Sequence, residues 1–282
     1  MNNNKDYINR SAKLIEMALN EDIGTGDITT LALIREDQIG KGKLVAKEDG
    51  IIAGLEVFEN IFKTIDGKGI EIKSVFNDGD QIQKGDVIAE FSGSLRTILT
   101  GERTALNFLQ RMSGVATKTK KFVDQIEGTS TQLLDTRKTI PGFRYLDKYA
   151  VTIGSGKNHR IGLFDMIMLK ENHIKASGSI KKAVESVKKE YGEKFKIEVE
   201  TREITEVVEA LDSKIDIIML DNMSTEEMAA AIKLIGTNAK VEASGNITID
   251  NIRKVAETGV DYISVGAITH SVSALDISLL II

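Results

Sequence analysis

The sequence predicts an α/β protein whose larger part is built from parallel βα units. Beyond about residue 100, short apolar runs typical of strands alternate with amphipathic stretches typical of helices, about every twenty to thirty residues. Polar or small residues close nearly all of these runs, whereas the chain before residue 100 consists of short strand-like runs and turns. Repeated βα units form either a barrel or a doubly wound sheet, and the alternation permits both. The 282 residues suffice for one large barrel or for a barrel with a smaller domain.

The composition is that of a globular protein with no general affinity for polyanions. Hydrophobic residues make up 41% of the chain and charged residues 28%. These fractions are typical of globular proteins and not of disordered ones. The net charge of −5 gives no overall attraction for nucleic acid or for an anionic membrane. Any anion must therefore bind through a local cluster of cations, and we expect neither a nucleic-acid partner nor a membrane partner.

Three further features predict a cytoplasmic protein. No apolar run approaches the ~20 residues that cross a bilayer, and residues 1–6 lack the apolar core of a signal peptide. The chain has no Cys, which excludes disulfides, thiolate metal sites and a Cys nucleophile and agrees with a reducing compartment.

The first part of the chain predicts one helix followed by short strands. Residues 10–20 carry apolar side chains on one helical face, and the Gly- and Asp-rich residues 21–29 cannot continue a long helix. Strand-like runs follow at Lys43–Lys47, Ile51–Ala53, Ile70–Val75 and Val87–Phe91. Residues 77–89 resemble the turn-rich sheet of lipoyl and biotinyl carrier domains, but no exposed hairpin Lys that could carry a cofactor is evident. We interpret this segment as a structural module.

The rest of the chain predicts one helix and then a series of strands and helices. An apolar repeat between residues 105 and 116 has helical spacing. Strands are expected at Gln132–Leu134, Met166–Leu169, Lys196–Val199, Ile217–Leu220, Lys240–Ala243 and Tyr262–Val265, and helices at Ile180–Tyr191, Glu203–Leu211, Thr225–Leu234 and Ile249–Thr258. Ser224 and Glu227 have the spacing of a capping box, and Gly259 suits the end of a helix.

The ends of these strands indicate an active site. The closing residues are Asp135, Lys170, Glu200, Asp221, Ser244 and Gly266. In a βα barrel the C-terminal strand ends meet at one rim, which holds the active site. Any one of these residues would suit an ordinary loop, but the whole series favours a polar site. The Gly residues after the last two strands, in residues 242–247 and 264–269, favour a phosphate site there over simple tight packing.

Cationic side chains concentrate between residues 135 and 173. The members are Arg137, Lys138, His159, Arg160 and Lys170, in a chain that is acidic overall. Gly, apolar residues and the only Pro are interleaved with these charges and would hold them in place, so a polyanion site is favoured over a solvated loop. Arg103, beside Glu102 at the start of a predicted helix, has the local features of a surface ion pair.

Several motifs together resemble the quinolinate phosphoribosyltransferase family. They cover nearly the whole chain, in the family's order: EDIGTGDIT at 21–29, ERTALN at 102–107, SGVAT at 113–117, DTRKT at 135–139, NHR at 158–160, LDN at 220–222, EASG at 242–245 and LDISL at 275–279. Ser155 stands where the family often has Gly, and both residues are small. So many motifs in one order make the resemblance specific.

The resemblance implies an open α/β barrel of fewer than eight strands beside a smaller N-terminal α/β sandwich domain. The expected domains are residues 1–112, joined by the C-terminal strand at about 270–282, and the catalytic barrel at 113–269. The resemblance also implies a homodimer, or a higher oligomer, in which Arg103 reaches into the neighbouring subunit's site.

The expected substrates are quinolinate and phosphoribosyl pyrophosphate, converted to nicotinate mononucleotide, pyrophosphate and CO2 in NAD biosynthesis. By the resemblance, Arg137, His159 and Arg160 surround the quinolinate carboxylates, with Lys138 and Lys170 nearby as catalytic cations. Glu200 and Asp221 face the ribose hydroxyls and Mg²⁺, as catalytic carboxylates and as direct or indirect metal ligands. The remaining substrate contacts are Thr139, Ser244, Gly245, Asn246, Val265, Gly266 and Ala267, of which Ser244, Gly245 and Gly266 hold the 5′-phosphate. No organic cofactor is expected, because a quaternised pyridinium nitrogen accepts the electrons of decarboxylation.

Two alternatives remain at this point. One is a relative with the same fold and another substrate, such as the family member found beside molybdate transport genes, although Arg103, Arg137 and Arg160 favour quinolinate. The other is a carrier or anion-binding protein built on the lipoyl-like segment, which would need a modifiable hairpin Lys.

Overall fold

The computed structural model describes residues 3–282, with side chains from residue 5 onward. The signal-peptide prediction concerned residues 1–6, of which residues 1 and 2 lie outside the described range. The chain groups into two compact units. The first comprises the residues up to Lys120 together with Thr139–Ser155 and Ile268–Ile282, and the second comprises Lys121–Lys138 and Gly156–Ala267. Among the described helices, none is both long and apolar enough to cross a membrane.

The described chain contains both helices and strands, which alternate regularly only in its second half. The helices are α1 (Asn3–Arg10), α2 (Ala12–Ile23), α3 (Ile28–Leu33), α4 (Leu55–Asp66), α5 (Leu95–Gln125), α6 (Arg144–Ile153), α7 (Glu171–Ser177), α8 (Ile180–Tyr191), α9 (Ile204–Asp212), α10 (Thr225–Ile235), α11 (Ile252–Ala256) and α12 (Ala267–His270). The strands are β1 (Ile39–Ala46), β2 (Gly50–Ile51), β3 (Glu71–Ser74), β4 (Gln81–Ile82), β5 (Val87–Ser94), β6 (Gln132–Leu134), β7 (Ile167–Leu169), β8 (Ile197–Thr201), β9 (Ile217–Asp221), β10 (Lys240–Ser244), β11 (Tyr262–Ser264) and β12 (Ile277–Ile281).

The first unit contains a four-stranded antiparallel sheet in the order β12-β1-β5-β3. The C-terminal strand β12 pairs with β1, with Leu279 opposite Leu44. Both of these side chains are buried. Strands β2 and β4 form a separate antiparallel pair.

Helix α4 lies within the region where the sequence predicted only short strands. Val57, Phe58, Ile61 and Phe62 are fully buried, and their spacing of one, three and one residues places them on one helical face. The helix ends at Gly67, whose φ of +71° is the left-handed conformation that glycine adopts without strain. The sequence pattern therefore predicted only strands in a region that also contains a helix, and the buried face of this helix forms part of the core.

The second unit contains a six-stranded parallel sheet in the order β6-β11-β10-β9-β8-β7. Neighbours in the sheet are neighbours in the chain from β7 to β11, and β6 adds to the far edge beside β11. This order is that of a barrel wound in one direction, left open between β6 and β7, and it confirms the predicted α/β barrel class. Val199, Ile218, Leu220, Ala243 and Ile263 have no exposed surface, as expected where helices cover a parallel sheet.

The predicted elements of this unit are found with small shifts at their ends. Helix α8 has the predicted bounds, and α10 begins with the predicted capping box: Ser224 Oγ accepts the Glu227 N–H, and the Glu227 carboxylate accepts the Ser224 N–H. Helix α11 is shorter than predicted, and Gly259 follows it with a φ of +95°. All six strands end at one rim, which therefore carries the polar residues that follow them.

Candidate active site

A cavity of about 530 Å³ opens at the carboxyl ends of the six parallel strands. It is lined by Thr136, Arg137, Lys138, His159, Arg160, Met168, Lys170, Glu200, Met219, Asp221, Asn222, Glu242, Ser244, Gly245, Asn246 and Ser264. All of these residues belong to the second unit. The volume lies in the range of small-molecule sites, and the position is the rim where βα barrels place their active sites.

The period-two geometry of the strands explains why these residues face one space. In a strand, residues two apart lie on the same face. Met168 and Lys170 are two apart at the end of β7, Met219 and Asp221 at the end of β9, and Glu242 and Ser244 at the end of β10. The first residue of each pair therefore lies deeper in the cavity. The second residue, which is polar in all three pairs, lies nearer to its mouth.

Two carboxylates at the ends of β8 and β9 are paired with cations. The Glu200 carboxylate accepts a hydrogen bond from Lys170 Nζ at 2.8 Å and lies 3.8 Å from Arg202 Nη2. The Asp221 carboxylate lies 3.7 Å from Arg202 Nε. Both carboxylates are mostly buried, with exposed side-chain fractions of 10% and 16%. Arg202, which follows β8 directly and was not singled out from the sequence, links the two acids.

The cavity lining also includes two guanidinium groups. Arg160 donates from Nη1 to the Met166 carbonyl at 3.2 Å, and Arg137 is exposed at the cavity mouth. Burial lowers the pKa of Arg160, and the like charge of Arg137 lowers it further. Two neighbouring guanidinium charges, one of them partly desolvated, form a preorganised site for an anion.

His159 lies at the floor of the cavity among buried acids. Its Nε2 lies 2.9 Å from Glu198 Oε2 and 3.5 Å from Glu242 Oε2, and neither glutamate side chain is exposed. Burial lowers the pKa of His159, whereas the hydrogen bonds and charges of Glu198 and Glu242 favour a proton within this three-group cluster. Because His159 Nδ1 accepts the Arg160 N–H at 2.7 Å, that proton lies on the carboxylates rather than on Nδ1. Burial and the charge of Glu242 also raise the pKa of Glu198. The three groups together therefore hold a proton at neutral pH.

The loop after β10 brings backbone close to the cavity. Gly245 has a φ of +93°, and a Cβ there would lie 2.3 Å from Asn222 Oδ1. Only glycine fits both the conformation and the close approach. Asn246 Nδ2 donates to the same Asn222 oxygen at 2.9 Å, which ties the loops after β9 and β10 together. Asn222 lines the cavity and was missed in the sequence.

Some predicted site residues do not line this cavity. Thr139 belongs to the first unit, where its Oγ1 accepts a hydrogen bond from Arg144 Nε at 2.8 Å. Arg103 is an exposed residue of α5 in the first unit. Val265, Gly266 and Ala267 follow β11 but are absent from the lining, and Val265 is buried with its N–H bonded to the Leu134 carbonyl.

Two acids that were not predicted as site residues are central to this site. Glu198 precedes Glu200 by two residues in β8, and Glu242 precedes Ser244 by two residues in β10. A charged residue inside a predicted buried strand, in phase with a polar strand end, is the signal that could have identified both.

Comparison with known proteins connects this geometry to one family. The family models of quinolinate phosphoribosyl transferase match the chain over residues 27–113 for the N-terminal domain and 115–280 for the C-terminal domain. Quinolinate phosphoribosyltransferase (decarboxylating) 1b of Nicotiana tabacum is 45% identical, over 94% of this chain and 81% of that protein. A probable nicotinate-nucleotide pyrophosphorylase (carboxylating) of Synechocystis is 43% identical, over 95% and 91% of the two chains.

A solved structure agrees with the same assignment. NadC from Streptococcus pyogenes is 40% identical and matches the fold with a TM-score of 0.92, over 96% of each chain. The likeness extends over both units of the chain. With its open parallel barrel and its cavity of arginines and strand-end carboxylates, the chain belongs to the quinolinate phosphoribosyltransferase family.

Proposed function

We propose that this chain transfers the phosphoribosyl group of phosphoribosyl pyrophosphate to quinolinate, yielding nicotinate mononucleotide, pyrophosphate and CO2 in NAD biosynthesis. The observation that carries the proposal is the division of charge in the cavity. Arg137 and Arg160 both line the cavity and lie close enough for their charges to repel, whereas Glu200 and Asp221 lie at the ends of adjacent strands. The arginine pair suits a dianionic acceptor such as quinolinate. The carboxylate pair suits the positive charge that develops on the sugar in the transition state.

Quinolinate binds through its two carboxylates to the guanidinium groups. A planar guanidinium donates two parallel hydrogen bonds to a carboxylate, which fixes both the position and the plane of the pyridine ring. Burial and, after it, the like charge of Arg137 lower the pKa of Arg160, and a bound dianion relieves the repulsion between the two arginines.

The transfer step forms a bond from the pyridine nitrogen to the anomeric carbon of ribose and breaks the bond from that carbon to pyrophosphate. Positive charge grows on the sugar while negative charge grows on the departing pyrophosphate. Glu200 and Asp221 stabilise the sugar electrostatically, and the ammonium groups of Lys138 and Lys170 stabilise the leaving group. The ion pair between Lys170 and Glu200, at 2.8 Å, holds these opposite charges ready in the free protein.

Decarboxylation follows on the quinolinate mononucleotide. The bond from C2 to its carboxylate breaks, CO2 leaves, and the electron pair is stabilised by the adjacent quaternised nitrogen before C2 takes up a proton. The reaction needs no organic cofactor because the substrate's own ring accepts this electron density.

A magnesium ion fits the carboxylate side of the cavity. Mg²⁺ prefers oxygen ligands from carboxylates and substrate phosphates, and Glu200 and Asp221 supply carboxylate oxygens at the mouth. We propose that these two residues hold the ion, directly or through water. When bound, the ion supplies charge neutralisation for the pyrophosphate group.

The 5′-phosphate is proposed to bind at the loop after β10. Ser244 offers a hydroxyl, and the backbone at Gly245 approaches the cavity without a side chain in the way. Gly266 and Ala267 after β11 are proposed to complete this site with backbone N–H groups.

We also propose that the protein acts as a homodimer in which Arg103 completes the partner's site. Arg103 is exposed on α5, where a subunit contact could use its charge. Mixing inactive Arg103→Ala with inactive Lys170→Ala subunits should create dimers with one intact site. With random exchange about half the dimers are mixed, so roughly a quarter of wild-type activity per site should return. Demonstrated exchange with no recovery would exclude sharing of this residue.

The test of the function is turnover with both substrates present. Purified protein, quinolinate, phosphoribosyl pyrophosphate and Mg²⁺ should give nicotinate mononucleotide, identified by mass. Omission of either substrate should abolish the product. The cytoplasm stays the predicted compartment, to be checked by fractionating cells that express the chain.

A further inference from the structure

We infer that Asp135, Glu198 and Glu242 are positioning residues that fix His159 and, through its ring, the main chain of Arg160. The inference deepens the proposed function, because it rests on Arg160 binding a substrate carboxylate. It assigns a task to three buried acids that do not themselves need to touch the substrate. It also makes His159 a structural link rather than a hydrogen-bond donor to quinolinate.

The first step is the attachment of the His159 backbone. Asp135 follows β6 and has no exposed surface, and its Oδ1 accepts the His159 N–H at 2.8 Å. The same segment is joined to β6 by a parallel bridge between Leu134 and Lys157 and by the Asp135 N–H, which donates to the Lys157 carbonyl at 3.1 Å. Residues 157–159 are thereby fixed along the open edge of the sheet.

The second step is the engagement of both ring nitrogens within the protein. His159 Nε2 contacts Glu198 at 2.9 Å and Glu242 at 3.5 Å. On the other side of the ring, Nδ1 accepts the Arg160 backbone N–H at 2.7 Å. Because Nδ1 accepts a hydrogen bond it carries no proton, so Nε2 carries the ring proton and faces the two glutamates.

The third step excludes the alternative of a metal site at these three side chains. His159, Glu198 and Glu242 have ligand atoms within 4.8 Å of one another, which is the arrangement of a possible metal site. A ring whose Nδ1 accepts an N–H and whose Nε2 carries a proton has no lone pair left for a metal. The 2.9 Å separation of Nε2 and Oε2 is an ordinary hydrogen-bond distance.

The consequence falls on the guanidinium of Arg160. Its main chain is held by the imidazole at 2.7 Å, and its Nη1 by the Met166 carbonyl at 3.2 Å. A guanidinium fixed at both ends of the residue loses little entropy when it binds a carboxylate. Removing one buried acid should therefore weaken quinolinate binding and leave the affinity for phosphoribosyl pyrophosphate nearly unchanged.

The arrangement can be tested without substrate. The chain has three histidines, so nitrogen-15 labelling gives a simple spectrum in which His159→Gln identifies the His159 signals. We expect His159 to have a protonated Nε2 and an unprotonated Nδ1 in the ligand-free protein. An unprotonated Nε2, or one tightly bound metal ion per chain that His159→Gln releases, would overturn the inference.

The functional arm uses isosteric variants and a matched control. Glu198→Gln and Glu242→Gln should raise the KM for quinolinate by about tenfold, the loss of one charge-assisted hydrogen bond, with kcat changed much less. Glu198→Leu, which removes the acceptor entirely, should raise the KM further than Glu198→Gln. The control is Thr131→Val, which removes a buried 2.7 Å hydrogen bond to the Val260 carbonyl at the opposite end of the sheet and should leave both KM values unchanged.

An unchanged quinolinate KM in folded Glu198→Gln and Glu242→Gln, or an equal rise in both KM values, would refute the positioning role. If a variant does not fold, the nitrogen-15 spectrum of the wild-type protein decides. Absence of turnover with quinolinate in the wild-type protein would refute the proposed function and leave the ring arrangement to be judged by its spectrum, so the two failures are distinguishable.

Discussion

The imidazole of His159 lies 2.9 Å from the carboxylate of Glu198. Only 6% of the His159 side chain and none of the Glu198 side chain is exposed. Because the pair is buried in the folded barrel, the stability of the fold depends on the protonation of these two side chains. The other charged groups that face the ring are Glu242, at 3.5 Å, and Arg160, whose N–H bonds the ring.

This coupling predicts a loss of stability as the pH rises toward neutral. Burial and the charge of Glu242 raise the pKa of Glu198 from 4.5 to about 7 in the folded protein, so the folded state holds this proton more tightly than the unfolded chain. The stabilisation is complete below about pH 4.5 and is lost as the pH rises through 7. Urea unfolding from pH 4.5 to 7 should show a steeper decline in the free energy of unfolding for the wild type than for Glu198→Gln. Parallel curves would contradict the account.

The arginine pair predicts a selective loss of quinolinate affinity. Arg137→Ala and Arg160→Ala should each weaken quinolinate binding roughly 10- to 100-fold, since a hydrogen bond to a charged group contributes about 1.5–3 kcal/mol. Calorimetric titration measures the dissociation constants. Arg35→Ala, which removes an exposed arginine of the first unit, is the control and should bind as the wild type does. Wild-type affinity in either cavity variant would show that quinolinate binds elsewhere.

Substitutions at two glycines distinguish the effect of backbone strain from a role in phosphate binding. Gly245 has a φ of +93° and Gly259 a φ of +95°, but only at Gly245 would a Cβ meet a neighbour, Asn222 Oδ1 at 2.3 Å. Both Ala variants should lose about 1 kcal/mol or more of stability from the strained φ. Gly245→Ala alone should raise the KM for phosphoribosyl pyrophosphate. Equal KM values in the two variants would remove the loop after β10 from the proposed phosphate site.

The carboxylates at the cavity mouth predict a requirement for a divalent ion. EDTA should abolish turnover and added Mg²⁺ should restore it, because the departing pyrophosphate needs its charge neutralised. Glu200→Gln and Asp221→Asn should raise the Mg²⁺ concentration needed for half-maximal rate. Full turnover in metal-free buffer would exclude this role.

The sequence was sufficient to predict parallel βα units and their polar rim because both follow from short-range patterns, whereas the choice of a barrel came from the family resemblance. The bounds of α8 and the capping box of α10 depend only on local periodicity and caps. Helix α4 was missed because its four buried residues lie between short strands, and its helical state is stabilised by packing within the first unit rather than by its neighbours in sequence. The grouping of residues 139–155 with the first unit also depends on long-range contacts.

The candidate site divides in the same way. Lys170, Glu200, Asp221 and Ser244 lie at or directly after the carboxyl ends of strands and were predicted from that position alone. Glu198 and Glu242 were not, because an acid inside a buried strand is intelligible only when its partner, His159, is known to lie beside it. That partner comes from a loop about forty residues earlier in the chain than Glu198.

The most direct test of the whole account is the fate of the 2-carboxylate of quinolinate. Quinolinate labelled with carbon-14 at this carboxylate, incubated with the protein, phosphoribosyl pyrophosphate and Mg²⁺, should release labelled CO2. The CO2 should equal the pyrophosphate and the nicotinate mononucleotide formed. Product that retains the label, or pyrophosphate release that depends on nicotinate instead of quinolinate, would contradict the assignment of this cavity to quinolinate.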